Sequence, residues 1–100
     1  MGRVIFSIKY DIVPEKKDEY LRIIKELKNL VKAEGLESYS AYRQKSKENS
    51  YEEIYIFESE EAYENFDDYS DERVDILMTQ LSELIKQQST HYSTLFEISG

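Results

Sequence analysis

Apolar residues first recur at every second position. Val4, Phe6, Ile8 and Tyr10 share one side of Arg3–Tyr10, and Ile5, Ser7 and Lys9 share the other. That alternation, rich in β-branched and aromatic residues, predicts a strand. Asp11–Pro14 breaks it, and Pro14 suits the first turn of a helix because its missing N–H needs no partner there. From Glu15 the period lengthens: Tyr20, Ile23, Ile24, Leu27, Leu30 and Val31 form one apolar stripe of a helix about five turns long. Acidic residues near its start and Lys28 and Lys32 near its end match the helix dipole. Gly35 is the expected left-handed residue at its C-terminus.

The remaining pattern completes a βαββαβ order. Leu36–Lys45 and Tyr51–Glu58 predict two strands joined by the polar loop Lys45–Ser50. Ser59 is placed to cap a short helix carrying Ala62, Tyr63 and Phe66. Ser70 is placed to cap a second, carrying Val74, Leu77, Met78, Leu81, Leu84 and Ile85. Gln87–Thr90 ends it, and Tyr92–Ile98 alternates as a last strand. This order predicts an α+β ferredoxin-like fold, a four-stranded antiparallel sheet with helices on one face, in a single domain spanning residues 1–100.

Each strand carries apolar or aromatic groups on both sides, as in Phe6 and Ile5, Tyr42 and Tyr39, Ile56 and Phe57, and Phe96 and Leu95. Helices cover only one side, so the open sheet face predicts a homodimer in which two such faces pack together. Parity alone leaves open which side meets the helices, since a shift of one residue exchanges the two sets.

Composition narrows the chemistry. The 100 residues include no Cys and no Trp, which excludes disulfides, thiolate nucleophiles and cysteine-ligated zinc. The formal net charge of −8 is unevenly distributed. Residues 1–50 hold 11 Lys/Arg against 8 Asp/Glu, whereas residues 51–100 hold 2 against 13. An acidic chain repels phosphates, so no nucleic-acid partner is expected. The lysines of the first helix lie among acidic residues, as on a solvated face. No apolar run is long enough for a membrane span and no leader is read, so a cytoplasmic protein is expected. Asp67, Asp68, Asp71, Glu72 and Asp75 lack the spacing of a calcium loop, and the glycines at 2, 35 and 100 form no phosphate loop. Neither a metal nor another cofactor is expected.

Order, size and local phrasing resemble the dimeric α/β-barrel proteins of the antibiotic biosynthesis monooxygenase (ABM) type. The resemblance rests on VIFSIKYDIVPEKKDEYLRIIKEL, GLESYSAYRQ, YEEIYIFESEEAYENF and the closing STLFEI. It implies a homodimer with a pocket between sheet and helices in each subunit. It also implies an activity drawn from a varied set: cofactor-independent oxidation of polycyclic phenols, haem degradation, or no known reaction. The haem-degrading branch is similar in using an Asn on the first strand with a Trp and a His on a later helix. Here the first strand carries Ser7, Trp is absent, and the sole histidine is His91. Haem degradation is therefore not expected.

Two kinds of side chain remain as candidates. His91 is the sole group whose ordinary pKa lies near neutrality, which makes it the candidate general acid or base; the plainer alternative is an inert surface histidine. Nine tyrosines stand out in the composition. Tyr10, Tyr39, Tyr42 and Tyr55 are candidates to orient an aromatic ligand by stacking and hydrogen bonding, against the alternative of cross-strand packing. With the resemblance, the candidate pocket is Ser7, Tyr39, Tyr42, Tyr55 and His91. The expected function is binding of a small hydrophobic or aromatic molecule, with cofactor-independent monooxygenation as the candidate reaction. The alternative is a non-enzymatic homodimeric ligand-binding or scaffold module.

Overall fold

A computed structural model describes residues 2–66 and 71–98. The strands are β1 (Val4–Asp11), β2 (Leu36–Arg43), β3 (Ser50–Phe57) and β4 (His91–Phe96), and the helices are α1 (Lys17–Leu30), α2 (Glu60–Asn65) and α3 (Glu72–Ser82). The strands pair in the order β2-β3-β1-β4, every pair antiparallel. This is the expected α+β ferredoxin-like arrangement.

Register resolves which side faces the helices. Val4, Phe6, Ile8 and Tyr10 lie opposite Phe57, Tyr55, Glu53 and Tyr51. Most of these eight are buried, as are Tyr20, Ile23 and Leu27 of α1 and Val74, Leu77 and Leu81 of α3. Even-numbered residues of β1 and odd-numbered residues of β3 therefore form the core side. Burying one such large apolar side chain contributes about 1.5–3 kcal/mol, which is why the pattern fixes the pairing. The other side carries Ile5, Ile54 and Ile56 half-buried and Leu95 and Tyr42 exposed.

Local chemistry corrects several expectations. Pro14–Lys16 forms a separate 3-10 turn before α1, and Val31 ends that helix in an extended conformation. Gly35 is left-handed, with φ 83°, but it lies in the turn leading into β2, where a Cβ would meet the Cβ of Ala62 at 2.4 Å. Ser59 caps α2 by accepting the Ala62 N–H at 3.1 Å. The cap of α3 is Asp71, which accepts the Val74 N–H at 3.0 Å. Ser70, Asp67 and Asp68 lie outside the described residues. Leu84 and Ile85 follow α3 rather than belonging to it, and Ile85 forms an isolated bridge to Ile12, just past the end of β1.

Helix cover is thin over β4. Tyr92 and Phe96 share the core side with Phe6 and Val4 yet are exposed, and Leu95 on the opposite side is exposed as well. Strand β4 thus presents apolar surface in both directions. Near the other edge, Arg73 of α3 grips Glu26 of α1 through two hydrogen bonds of 2.7 and 3.0 Å.

Candidate functional site

The core side of the sheet contains one carboxylate. Glu53 sits on β3 in phase with Tyr51, Tyr55 and Phe57, and only 2 % of it is exposed. Its register neighbours are Ile8 on β1 and Ala41 on β2. Tyr10, two residues after Ile8, and Tyr39, two residues before Ala41, reach it diagonally from opposite sides. Tyr10 donates to Glu53 Oε1 at 2.7 Å and Tyr39 donates to Oε2 at 2.6 Å. Tyr20 of α1 meets the Tyr10 hydroxyl at 2.9 Å.

A buried carboxylate is costly unless donors replace its lost water, and the two phenols supply them. Burial outweighs those bonds and pushes the Glu53 carboxyl above its ordinary range. Burial, reinforced by the Glu53 charge, likewise raises the phenols of Tyr10, Tyr39 and Tyr55. Burial also raises Tyr20, although its bond to Tyr10 acts in the opposite direction.

Beside this cluster, between α1 and the β2 edge, lies a cleft of about 400 Å³ lined by Tyr20, Leu21, Ile24, Ala41 and Tyr51, with Lys17, Tyr42 and Arg43 completing its border. Its size lies within the range of small-molecule sites. Tyr20 and Tyr51 pack ring to ring, centroids 4.4 Å apart. Among the described residues the Tyr51 hydroxyl has no hydrogen-bond partner, and it is buried. Such orphans are rare, because each one costs free energy. The cleft is open on one side rather than enclosed within the subunit. The centre of the core is filled by Tyr10, Tyr39, Tyr55 and Phe57.

The five expected pocket residues do not meet. Tyr39 and Tyr55 lie within the buried cluster, their rings 4.8 Å apart. Tyr42 borders the cleft from the edge strand. Ser7 and His91 lie on the other side of the sheet: alternation along β1 turns Ser7 away from the core, and His91 pairs with Lys9 in that same set. His91 is the exposed first residue of β4 and borders a separate surface cleft with Lys9, Lys47 and Lys86. Among the described residues no side chain hydrogen-bonds its imidazole, as the orienting partner of a general base would. The residues that sequence reasoning missed are Glu53, Tyr20 and Tyr51. The available signal was parity, since a charged residue in phase with three aromatics must be buried with them. Among the described residues no group of three His, Asp or Glu side chains converges to hold a metal.

The chain thus combines a ferredoxin-like α+β sheet with a tyrosine-lined cleft beside a buried carboxylate. Residues 3–70, more than half of the chain, match the model of the antibiotic biosynthesis monooxygenase family. The chain belongs to that family. Among solved structures it is similar to a protein from Caulobacter crescentus CB15 provisionally named an antibiotic biosynthesis monooxygenase. That match has 17 % identity and a TM-score of 0.80, covering 98 % of this chain and 92 % of that one. A conserved protein from Methanosarcina mazei Go1 matches at 19 % identity and a TM-score of 0.78, covering 95 % and 92 %. One from Chloroflexus aurantiacus J-10-fl, named in the same provisional way as the Caulobacter protein, matches at 13 % and 0.71, covering 98 % and 95 %. At these identities the likeness is one of fold. No curated protein matches the chain.

Proposed function

We propose that this protein binds a small aromatic molecule in the cleft between α1 and β2 and acts as a cofactor-independent monooxygenase of the ABM type. The observation that carries the reading is the cleft of about 400 Å³ walled by Tyr20 and Tyr51. These two side chains, packed ring to ring, offer aromatic surface to a flat ligand. Tyr39 and Tyr55 back them from within the sheet. Oxidation by molecular oxygen without a cofactor requires the substrate as an electron-rich anion, which suits a phenol held in an apolar site. The functional unit is a homodimer that joins the open sheet faces through Ile5, Ile54, Ile56 and Leu95.

The test is a thermal-shift panel of phenols, quinones, anthrones, flavins and haem, followed by oxygen-consumption assays with any ligand that stabilises. A ligand at about 100 times its dissociation constant adds roughly 2.7 kcal/mol to stability. Stabilisation by one aromatic class, with oxygen uptake in the presence of that class, supports the reading. A flat panel overturns it. One observation favours the second reading, a non-enzymatic homodimeric module: β4 exposes Tyr92 and Phe96 on one side and Leu95 on the other, more apolar surface than a ligand cleft needs. Ligand binding without oxygen uptake supports that alternative.

A further inference from the structure

We infer that the ligand of the α1–β2 cleft is an aromatic acid, its flat apolar body seated against Leu21, Ile24 and Tyr42 and its carboxylate held by Arg43 with Lys17 assisting. The inference rests on the cleft reading above and adds the chemical class of the ligand.

Charge distinguishes this cleft from its neighbours. The chain holds 21 Asp and Glu against 13 Lys and Arg, so cations without carboxylates are not the expected lining of a surface hollow. The cleft beside Gly35 has Glu34, Glu58 and Glu61 in its wall. The cleft beside His91 gathers Lys9, Lys47 and Lys86, but it includes Asp11 and no apolar side chain lines it. The α1–β2 cleft has two cations at its border, apolar side chains in its walls and no carboxylate in its lining. Leu21 is 46 % exposed and Tyr42 56 %, so this apolar surface is open to a ligand. The buried hydroxyls of Tyr20 and Tyr51 take no part.

The two cations differ in what already holds them. Arg43 ends β2 and lies opposite Tyr51, which puts it on the helix-facing side of the sheet with Tyr39 and Ala41. Among the described residues it makes no ion pair. Its planar fork of N–H donors matches the two oxygens of a carboxylate. Lys17 opens α1 and reaches Glu48 at 3.9 Å, a glutamate whose side chain is 77 % exposed. Exposed pairs of this kind contribute little, so Lys17 can still serve a second carboxylate. At physiological salt, charges further than about 8 Å away are largely screened. The net charge of −8 therefore does not keep an anion from two cations beside it.

The probes are 1-naphthoate and 1-naphthamide, which share ring and shape and differ in charge. Each is titrated into the full chain at physiological salt, with affinity read by calorimetry and the site by NMR shifts at Leu21 and Ile24. Naphthoate should bind roughly three- to tenfold more tightly than naphthamide. The preference should shrink in about 1 M salt, where screening acts within about 3 Å. Arg43→Gln should remove most of it and Lys17→Gln a smaller share. Equal affinities in the unaltered protein overturn the inference, whether or not the variants fold, and leave the cleft reading standing. A preference that survives both substitutions together also overturns it, as do naphthoate shifts confined to the residues around Lys9, Lys86 and His91. Failure of both probes to bind overturns the cleft reading and the inference with it.

Discussion

Removing one oxygen atom at Tyr51 should make the free protein more stable and leave its hold on an aromatic ligand unchanged. Tyr51 is 4 % exposed, and its hydroxyl is buried without a partner. An unsatisfied buried hydroxyl costs about 1–3 kcal/mol, whereas Phe keeps the ring that packs on Tyr20 at 4.4 Å. Tyr51→Phe should therefore stabilise the ligand-free chain by about 1 kcal/mol, a rise in Tm of about 4–8 °C for a domain of this size. The ring wall of the cleft is kept, so the affinity for an aromatic alcohol such as 1-naphthol should stay within about twofold. Thermal denaturation followed by circular dichroism, with and without 1-naphthol, reads both effects on one sample. A Tyr51→Phe variant less stable than the parent by about 1 kcal/mol or more would show that the hydroxyl is satisfied and would refute the reasoning.

Glu53→Gln separates the burial of the carboxylate from everything else that titrates. The raised carboxyl binds its proton more tightly folded than unfolded, so its contribution is complete at low pH and is lost as pH rises from about 4.5 through the folded value. Chemical denaturation across pH should show Glu53→Gln gaining on the parent in that direction, by about 1.4 kcal/mol per unit of upward shift; a difference that is flat with pH contradicts this. Gly35→Ala should cost about 2–4 kcal/mol, combining left-handed backbone strain with the 2.4 Å approach to Ala62. Urea unfolding measures it, and a loss below about 1 kcal/mol would mean that the turn relaxes freely. Leu95→Asp places a charge on the open sheet face; under the proposed homodimer, light scattering should read a dimer for the parent and a monomer for the variant, while a variant that stays dimeric would move the interface elsewhere.

The strands and helices were legible because period and parity are local properties of the chain. The stripe from Tyr20 to Val31 and the alternation from Val4 to Tyr10 each need only one element to be read. Positions that depend on a neighbouring element were not legible. Gly35 has the left-handed backbone expected of it, but Val31 ends α1 four residues earlier, so the glycine serves the turn into β2 instead. Ser7 and His91 fell on the far side because a single residue of register decides the side. Glu53 sits beside Glu52 and reads as half of a polar pair. Only the pairing with Ile8 and Ala41 brings Tyr10 and Tyr39 diagonally against it. The cleft depends on packing between α1 and the β2 edge, which no local pattern encodes. The tyrosines were conspicuous in the composition, but which of them share a wall is a matter of topology.

The central claim is that the tyrosine-lined cleft between α1 and β2 binds an aromatic ligand. The most direct measurement is a heteronuclear NMR titration of the full chain with 1-naphthol. Saturable shifts should concentrate at Tyr20, Leu21 and Ile24 on α1 and at Ala41 and Tyr51 on the facing strands. Shifts confined to the surface cleft around Lys9, Lys86 and His91, or no saturable shift anywhere, would contradict it.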